Sequence, residues 1–442
     1  MSSAPARIVV SAAASSAGKT LVTMALCAAL RDAGLRVRAY KSGPDYIDAR
    51  LYASILGEPA HNLDLWLDGD EGVLRHVAAT AGGADILLIE GMMGLFDGDN
   101  AGTTSTARLA QTLDAPILSV LDASKSSQTV AAVALGLRMY EPALRHIGAI
   151  ANRVGGLSHV SALRSACTRA GIEVLAAIPR RETYLLPERR LGLDRSAFAQ
   201  RAAIVVEELA RELAAQLDLP ALMAAAAGRP FDAFTPVSAT AARARIAYAE
   251  DSAFWFTYPE TLEALRTAGA ELVPFSPLHD GALPPDVGAL WISGGYPEDH
   301  GAVLSGNARL RTQIQEAIAD GLPAYAECGG LMYLAQTLHT PSGSYEMVGA
   351  LGGATSMVEP RLHLGYRDAT VATDSPFDAA GTRIRAHEFH YATSMLTPDA
   401  PAYVYASANE GAVRGNCVAS FFHRHFLPGD LAIDRFVAAA AA

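Results

Sequence analysis

The sequence has few cysteines, few charges and no long apolar run, and each shortage excludes a class of protein. Four cysteines are spread over 442 residues without a CxxC pair, so neither a disulfide framework nor a cysteine-rich zinc site is expected. Charged residues make up 18% and the net charge is −11, which argues against disorder and against a nucleic-acid partner. No apolar run reaches the roughly 18 residues of a membrane helix, and no signal-peptide pattern is present. We therefore expect a reduced, cytoplasmic protein without a membrane partner.

Strand and helix patterns alternate along the chain in two successive series. Short apolar runs separated by helical patterns fill residues 1–218, and a similar series restarts at residue 243. Between them, residues 219–242 hold an alanine run, Gly-Arg-Pro and a Thr/Pro/Ser/Ala stretch, which is typical of a linker. Alternation of this kind predicts a mostly parallel sheet covered on both faces. The predicted fold is two doubly wound α/β domains, over residues 1–218 and 243–442.

Residues 11–20, SAAASSAGKT, indicate a phosphate-binding loop. They follow a strand and open a helix, where backbone N–H groups attract phosphate. Lys19 would contact the terminal phosphates, and the Thr20 hydroxyl would ligate Mg²⁺. A strict motif has glycine where this chain has Ala13, so an ordinary turn with a solvated lysine is the alternative. The nucleotide-binding candidates in the loop are Ala17, Gly18, Lys19 and Thr20.

Acidic residues follow two further strands, in residues 41–48 (KSGPDYID) and 86–98 (ILLIEGMMGLFDG). A carboxylate at the carboxyl end of a parallel strand can reach a nucleotide-bound Mg²⁺. Taken singly, Glu90 is typical of a surface acid and Asp45 of a turn residue, but together with the loop they favour one site. The predicted metal ligands are Thr20, Asp45 and Glu90. The candidates for substrate binding or phosphoryl transfer are Lys41, Asp45, Tyr46, Asp48 and Asp97.

Residues 323–334, PAYAECGGLMYL, indicate a cysteine nucleophile on a strand-to-helix elbow. A helix N-terminus lowers the pKa of a thiol and offers N–H groups to an oxyanion. The alternative, a buried structural cysteine, is disfavoured by the two glycines after Cys328. Residues 419–426, ASFFHRHF, supply His423 and His425 as bases. A metal-binding HxH is the competing interpretation, but no third ligand stands at a recognisable spacing.

These motifs together resemble the cobyrinate a,c-diamide synthase family. KxGPDYID, EGxMGLFDG and the GKT loop look like its N-terminal domain, which is similar to dethiobiotin synthetase. WISGGYPE, HEFHY and SFFH look like its class I glutamine amidotransferase domain. The fold implied is a P-loop NTPase-like domain followed by an amidotransferase-like domain.

The resemblance also implies roles for individual residues. His423 would be the base for Cys328, and the amides of Gly295 and Gly329 would bind an oxyanion. Asn152 would face the adenine edge, with a loop-capping amide as the alternative. The residue two places after His423, where an acid would complete a triad, is His425, so a Cys–His dyad is expected. The role of the HEFHY histidines is left open.

The function implied is glutamine-dependent and ATP-dependent amidation of the a and c acetates of cobyrinate or hydrogenobyrinate. Residue chemistry alone reaches only the amidation of a carboxylate through an acyl phosphate. The expected small molecules are L-glutamine, ATP with Mg²⁺ and a corrin polycarboxylate; a homodimer is left open. Alternatives are a Ni-sirohydrochlorin a,c-diamide synthase, a cobyric acid synthase-like enzyme, and a non-catalytic nucleotide-binding module with a degenerate amidotransferase domain.

Overall fold

A computed structural model describes residues 4–184, 195–232 and 234–442 of the chain. The chain divides into two compact units, unit 1 up to Thr235 and unit 2 from Pro236 onward. The division falls inside the stretch 219–242, which the sequence predicts as a linker.

Unit 1 is built on a parallel sheet. Its strands are β1 (Ala6–Ala12), β2 (Val37–Ser42), β3 (His61–Leu63), β4 (Ile86–Glu90), β5 (Ile117–Asp122), β6 (His146–Val154) and β7 (Val174–Pro179). Their order across the sheet is β3-β2-β4-β1-β5-β6-β7, and every neighbouring pair is parallel. Parallel pairing requires a crossover after each strand, which brings helices onto both faces.

The helices of unit 1 cover the sheet from two sides. They are α1 (Lys19–Asp32), α2 (Asp48–Leu56), α3 (Gly69–Thr80), α4 (Thr106–Thr112), α5 (Thr129–Tyr140), α6 (Leu157–Arg169), α7 (Arg195–Ala214) and α8 (Leu219–Ala225). Alternate residues of β1 enter different cores: Ile8 packs in the cluster that contains α1 and α7, and Val9 in the cluster that contains α3 and α4. The predicted coverage of both faces is therefore present.

The predicted linker begins with a helix that belongs to unit 1. Asp218 caps α8 by accepting a hydrogen bond from Ala221 N–H at 3.0 Å, and Leu222 is buried in the core around α1. The alanine run that indicated a linker is thus partly helical, because alanine favours a helix wherever one face can be buried.

Unit 2 has a second, mostly parallel central sheet. Its strands are β8 (Ala244–Ala249), β10 (Ala270–Phe275), β11 (Ala289–Ile292), β13 (Ala324–Glu327), β22 (Ala412–Arg414) and β23 (Cys417–Ser420), in the order β10-β8-β11-β13-β23-β22. β22 alone among these is antiparallel to its neighbour. The helices of this unit are α9 (Pro259–Thr267), α10 (Gly301–Gly306), α11 (Ala308–Ala319), α12 (Gly329–Leu334) and α13 (Leu431–Ala440).

Unit 2 also contains smaller, mostly antiparallel sheets that the sequence did not predict. β9 (Phe254–Phe256) pairs with β12 (Gly294–Gly295). The others are built from β14 (Thr337–Thr340), β15 (Gly343–Glu346), β16 (Gly353–Ser356), β17 (His363–Val371), β18 (Arg383–His390), β19 (Thr393–Leu396), β20 (Tyr403–Tyr405), β21 (Ala408–Glu410) and β24 (Phe422–His423). In the parts of the chain that the structure describes, no helix is long and apolar enough to cross a bilayer.

Candidate active sites

The phosphate loop of unit 1 joins β1 to α1 through two left-handed residues. Ser16 has φ 63° and Gly18 has φ 96°. A Cβ on Gly18 would lie 2.2 Å from Asn152 Nδ2, so no side chain fits at that position. The single glycine therefore stands where it is sterically required, and Ser16 adopts the other strained conformation despite its side chain.

Asn152 holds this loop from β6. Its Nδ2 donates to the Ala17 carbonyl at 2.9 Å, and its Oδ1 accepts from the Arg153 N–H at 2.9 Å. Its amide thus braces the loop backbone, which is the contact expected of a loop-capping amide. Asn152 also lines the cavity above the loop.

Lys19 lies at the first turn of α1 with its ammonium inside the loop. Its Nζ donates to the carbonyls of Ala14, at 3.1 Å, and Met93. Burial lowers the pKa of Lys19, while Glu90 and Asp97 act in the opposite direction. Asp97 is exposed, and its Oδ2 accepts a hydrogen bond from the Gly94 N–H at 3.0 Å.

A buried charge cluster lies where β1, β2 and β4 end. Lys41 Nζ is 2.9 Å from Asp48 Oδ2 and 3.0 Å from Glu90 Oε1, and Thr20 Oγ1 donates to Glu90 Oε1 at 2.7 Å. Sheet register causes this meeting, because Lys41 pairs directly with Glu90 across β2 and β4. The structure therefore brings together four residues that the sequence singled out.

The charged groups of this cluster shift one another's pKa values. Burial raises the pKa of Glu90 to about 7, with Asp48 adding to the effect and Lys41 opposing it. Burial also disfavours the charged form of Lys41, but Glu90 and Asp48 outweigh it and raise the pKa of Lys41. The Lys41 ammonium therefore stays charged between two carboxylates.

Asp45 acts on this cluster through its charge, which raises the pKa of Lys41, and through the turn after β2. Its Oδ1 accepts hydrogen bonds from the backbone N–H groups of Ile47, at 2.8 Å, and Asp48, at 2.7 Å. This carboxylate therefore fixes the turn that leads into α2 and presents Asp48 to Lys41. Tyr46 lies half-buried in the same turn.

A cavity of about 780 Å³ lies above the loop and the cluster. That volume is within the range of small-molecule sites. The lining includes Lys19, Thr20, Lys41, Glu90 and Asn152 among the predicted residues. It also includes basic residues that the sequence analysis did not single out, namely Lys125, Arg153, Arg180 and Arg181. Lys125, Arg180 and Arg181 follow strands that carry no recognised motif, and Arg153 directly follows the predicted residue Asn152 in β6.

The nucleophile region of unit 2 has the strand-to-helix turn that its sequence indicates. Cys328 joins β13 to α12 with φ 48° and ψ −107°, a conformation that costs a non-glycine residue on the order of 1–3 kcal/mol. Gly330 is packed tightly after it, since a Cβ there would lie 2.1 Å from the Ile292 carbonyl oxygen. The cysteine is thus held in a strained turn by close backbone packing.

His423 lies beside Cys328, across from the β12 segment. A Cβ on Gly294 would be 2.7 Å from His423 Cε1 and 3.3 Å from Cys328 Cβ, so the three residues meet at one point. Burial acts to lower the pKa of His423, but Cys328 and Glu327 raise it to about 10. The sequence analysis did not single out Gly294, although it named the neighbouring glycine.

The two glycines predicted for the oxyanion site are adjacent. A Cβ on Gly329 would lie 3.0 Å from the Gly295 nitrogen, and one on Gly295 would lie 2.0 Å from the Ala253 carbonyl oxygen. The two backbone segments are therefore packed closely beside the cysteine. An oxyanion site requires a pair of backbone N–H donors at such a place, and this role of the two glycines stays a prediction.

The HEFHY stretch forms the end of β18 near the nucleophile. The Phe389 carbonyl lies 3.9 Å from Cys328 Sγ. His387 pairs with His423 between β18 and β24. His390 is hydrogen-bonded to Glu388, at 2.8 Å, and to the Ala392 carbonyl, at 2.9 Å. The motif therefore contributes its backbone and its packing to the surroundings of Cys328.

Comparison with known proteins assigns each unit to a domain family. Residues 8–192 match the CobQ/CobB/MinD/ParA nucleotide-binding domain, and residues 245–431 match the CobB/CobQ-like glutamine amidotransferase domain. The chain is therefore an amide-forming ligase that joins a nucleotide-binding domain to a glutamine amidotransferase domain.

Relatives that match nearly the whole chain identify the family more narrowly. The chain is 39% identical to the cobyrinate a,c-diamide synthase of Syntrophotalea carbinolica over 98% of each chain. It is 39% identical to the hydrogenobyrinate a,c-diamide synthase of Rhodobacter capsulatus, over 96% of this chain and 99% of that one. It is 40% identical to the hydrogenobyrinate a,c-diamide synthase of Mycobacterium bovis over 98% of each. The chain belongs to the cobyrinate and hydrogenobyrinate a,c-diamide synthase family, which confirms the family predicted from the motifs.

Proposed function

We propose that this protein amidates the a and c acetate carboxylates of cobyrinate or hydrogenobyrinate, using glutamine and ATP. The observation that carries the proposal is the near full-length similarity to enzymes named for these two reactions. The meeting of Lys19, Thr20 and Glu90 in one unit and of Cys328 and His423 in the other supports it chemically.

Ammonia would be released in unit 2. His423 takes the proton of the Cys328 thiol, and the resulting thiolate attacks the side-chain amide of glutamine. His423 then gives the proton to the leaving nitrogen, which departs as ammonia. The Gly295 and Gly329 amides bind the oxyanion that forms at the former carbonyl. Water then hydrolyses the thioester to glutamate and restores the thiol.

The carboxylate would be activated in unit 1. A free carboxylate resists attack by ammonia, so the γ-phosphoryl group of ATP is transferred to it, giving an acyl phosphate and ADP. The Lys19 ammonium offsets the charge of the phosphates, and the backbone of the loop donates hydrogen bonds to them. Ammonia then displaces phosphate and leaves the amide, and the second acetate is processed in the same way.

The donor set beside the loop fits Mg²⁺. Oxygen atoms of Thr20, Glu90 and Asp48 lie close together beside the Lys41 ammonium, and hard oxygen ligands are the ones that this ion prefers. Glu90 Oε2 is buried without a hydrogen-bond partner among the described residues. A metal held there would offset the negative charge of the nucleotide phosphates beside these carboxylates. Asp45 would act through the turn that positions Asp48. The homodimer that the sequence analysis left open stays untested, and light scattering of the full chain would test it.

One experiment tests the substrate. The full-length protein is incubated with ATP, Mg²⁺ and glutamine and with cobyrinate, hydrogenobyrinate or Ni-sirohydrochlorin, and the products are read by mass spectrometry. We expect a diamide from cobyrinate or hydrogenobyrinate and glutamate in matching amount. Turnover of Ni-sirohydrochlorin alone, or glutamine hydrolysis with no amide product from any of them, would contradict the proposal.

A further inference from the structure

The side chain two places after His423 faces a different part of unit 2. His425 Nε2 lies 3.7 Å from Glu260 Oε2, and its ring meets the Tyr258 ring edge-on at 4.8 Å. His425 therefore occupies a separate buried contact, and the partner that orients His423 has to be sought elsewhere.

Glu327, the residue before the nucleophile, lies against the Nδ1 side of the His423 ring. Its Oε2 is 3.8 Å from His423 Nδ1, and the two side chains are 4% and 2% exposed. Its Oε1 accepts hydrogen bonds from the Tyr325 hydroxyl, at 2.8 Å, and from the Arg424 backbone N–H, at 3.0 Å. Two donors on one oxygen fix the rotation of the carboxylate, so that the other oxygen is presented to the ring.

The strained turn explains how adjacent residues reach the same ring. Neighbouring side chains of a strand point to opposite faces, so Glu327 and Cys328 would diverge if β13 continued. Cys328 instead turns with φ 48° into α12. Glu327 pairs with Ser420 at the end of β23, three residues before His423 in β24. The ring is thereby held between the two consecutive residues.

The charged and titratable groups around His423 favour a proton on its ring. Cys328 and Glu327 are anionic when ionised, and together they raise the pKa of His423 against the effect of burial. His387, its cross-strand neighbour, has a pKa lowered to about 3, mainly by burial and further by the charge of His423. His387 is therefore neutral at ordinary pH and does not compete for that proton.

We propose that Glu327 is the positioning residue of the glutaminase site, which makes a Cys328–His423–Glu327 triad whose acid directly precedes the nucleophile. This proposal rests on the proposed function. His423 Nδ1 keeps its proton and directs it at Glu327 Oε2, which leaves Nε2 to take the proton of the Cys328 thiol. Glu327 exchanges no proton; its charge stabilises the imidazolium that forms with the thiolate. At 3.8 Å the contact is an ion pair, and hydrogen bonds of catalytic groups often tighten only when substrate binds.

The test compares the full-length Glu327→Gln variant with the unchanged protein. Glutamine hydrolysis is measured as kcat/KM against pH, and alkylation of Cys328 by iodoacetamide is followed against pH by peptide mass spectrometry. We expect kcat/KM to fall at least about tenfold. The pH at which the thiol becomes reactive should rise by about one unit, since the imidazolium that supports the thiolate is less stable. Amidation driven by free ammonia should be unchanged.

Glu410→Gln is the matched control. Glu410 is another carboxylate of unit 2 that accepts two hydrogen bonds, from Ser420 Oγ at 2.6 Å and the Phe421 N–H at 2.8 Å. Burial raises its pKa to about 7. This substitution should leave the reactivity profile of Cys328 in place. If it shifts the profile as far as Glu327→Gln does, the effect is a general one of lost charge and the proposal is wrong.

The remaining outcomes separate this proposal from the proposed function. An unchanged pH profile in Glu327→Gln overturns the positioning role, whatever the rate. Glutamine hydrolysis that persists in Cys328→Ala overturns the glutaminase assignment itself. If Glu327→Gln does not fold, Glu327→Asp is used, because it keeps the charge but withdraws it by one methylene. A smaller shift in the same direction is then expected, and no shift overturns the proposal.

Discussion

Gly294 lies so close to the His423 and Cys328 side chains that a larger residue has no room there. We predict that Gly294→Ala lowers glutamine-driven amidation at least about tenfold, because the new methyl group would displace His423 from Cys328. Ammonia-driven amidation should stay near its original rate, since unit 1 is untouched. Both rates are measured on the same preparation, with the melting temperature as a check of folding.

Gly306→Ala is the control for this variant. Gly306 is the last residue of α10. A Cβ there would meet no atom within 4 Å beyond its chain neighbours and the backbone of its own helix. It should therefore leave both rates unchanged. Equal losses in the two variants would show that the close approach at Gly294 is irrelevant to the reaction.

Lys19 is the residue whose loss should affect amidation from either nitrogen source. Lys19→Ala removes a charge from the phosphate loop, and such a contact contributes about 1.5–3 kcal/mol. We therefore expect at least a roughly tenfold slower reaction with glutamine and with ammonia alike. Near-normal turnover with ammonia would contradict the phosphate-loop assignment.

At the scale of elements, two of the predicted acids hold different positions. Glu90 ends β4 in the charge cluster, and Asp45 lies in the turn between β2 and α2. Glu90→Gln should lower the amidation rate sharply, because Glu90 lies in the charge cluster with Thr20 and Lys41. Asp45→Asn should lower the rate less, because an asparagine oxygen can still accept the hydrogen bonds from Ile47 and Asp48. Product analysis over time should show a monoamide accumulating in both, since two carboxylates are processed in turn.

The melting temperatures of these two variants show whether a slower amidation reflects lost chemistry or lost folding. Both substitutions are nearly isosteric, so we expect each protein to melt close to the original temperature. A variant that makes the diamide at the original rate, or that simply unfolds, would rule out the role given to its carboxylate.

The regular elements were the part of the fold most accessible to sequence reasoning. The apolar run 84–90 predicts a strand, and β4 spans Ile86–Glu90; the pattern of residues 20–33 predicts a helix, and α1 spans Lys19–Asp32. These segments are long, apolar and bounded by turn residues, so the periodicity of their apolar residues is easily recognised in the sequence. Short strands such as β15 (GSYE) carry no such signal, because their side chains are mostly polar and half-exposed.

Contacts between distant segments were the least accessible part of the candidate sites. Cys328 and the two candidate histidines could be named from local motifs, whereas the choice of His423 over His425 required a family resemblance. Glu327 directly precedes Cys328 in the motif, and the alternation of side chains along a strand places such neighbours on opposite faces. Only the turn angle at Cys328 and the place of β24 bring its carboxylate to His423.

At the scale of the whole molecule, the proposed mechanism divides the reaction between the two units. We predict that Cys328→Ala abolishes amidation with glutamine and spares amidation with free ammonia. The thiol only releases ammonia, while Lys19, Thr20 and Glu90 lie in unit 1. Steady-state rates with each nitrogen source, measured on the full chain, check this. Equal loss of both activities with the fold intact would show that the division is wrong.

The contact between Gly18 and Asn152 means that these two positions cannot vary independently. They are far apart in sequence, yet a methyl group on one would overlap the amide of the other. A side chain at residue 18 therefore requires a smaller residue at 152, which would remove the amide that holds Ala17. Because the two residues are in direct contact, we expect the effects of substitutions at the two positions not to add. The left-handed φ of 96° at Gly18 would strain a side chain there even then, so the two positions form one coupled unit although they lie on separate elements.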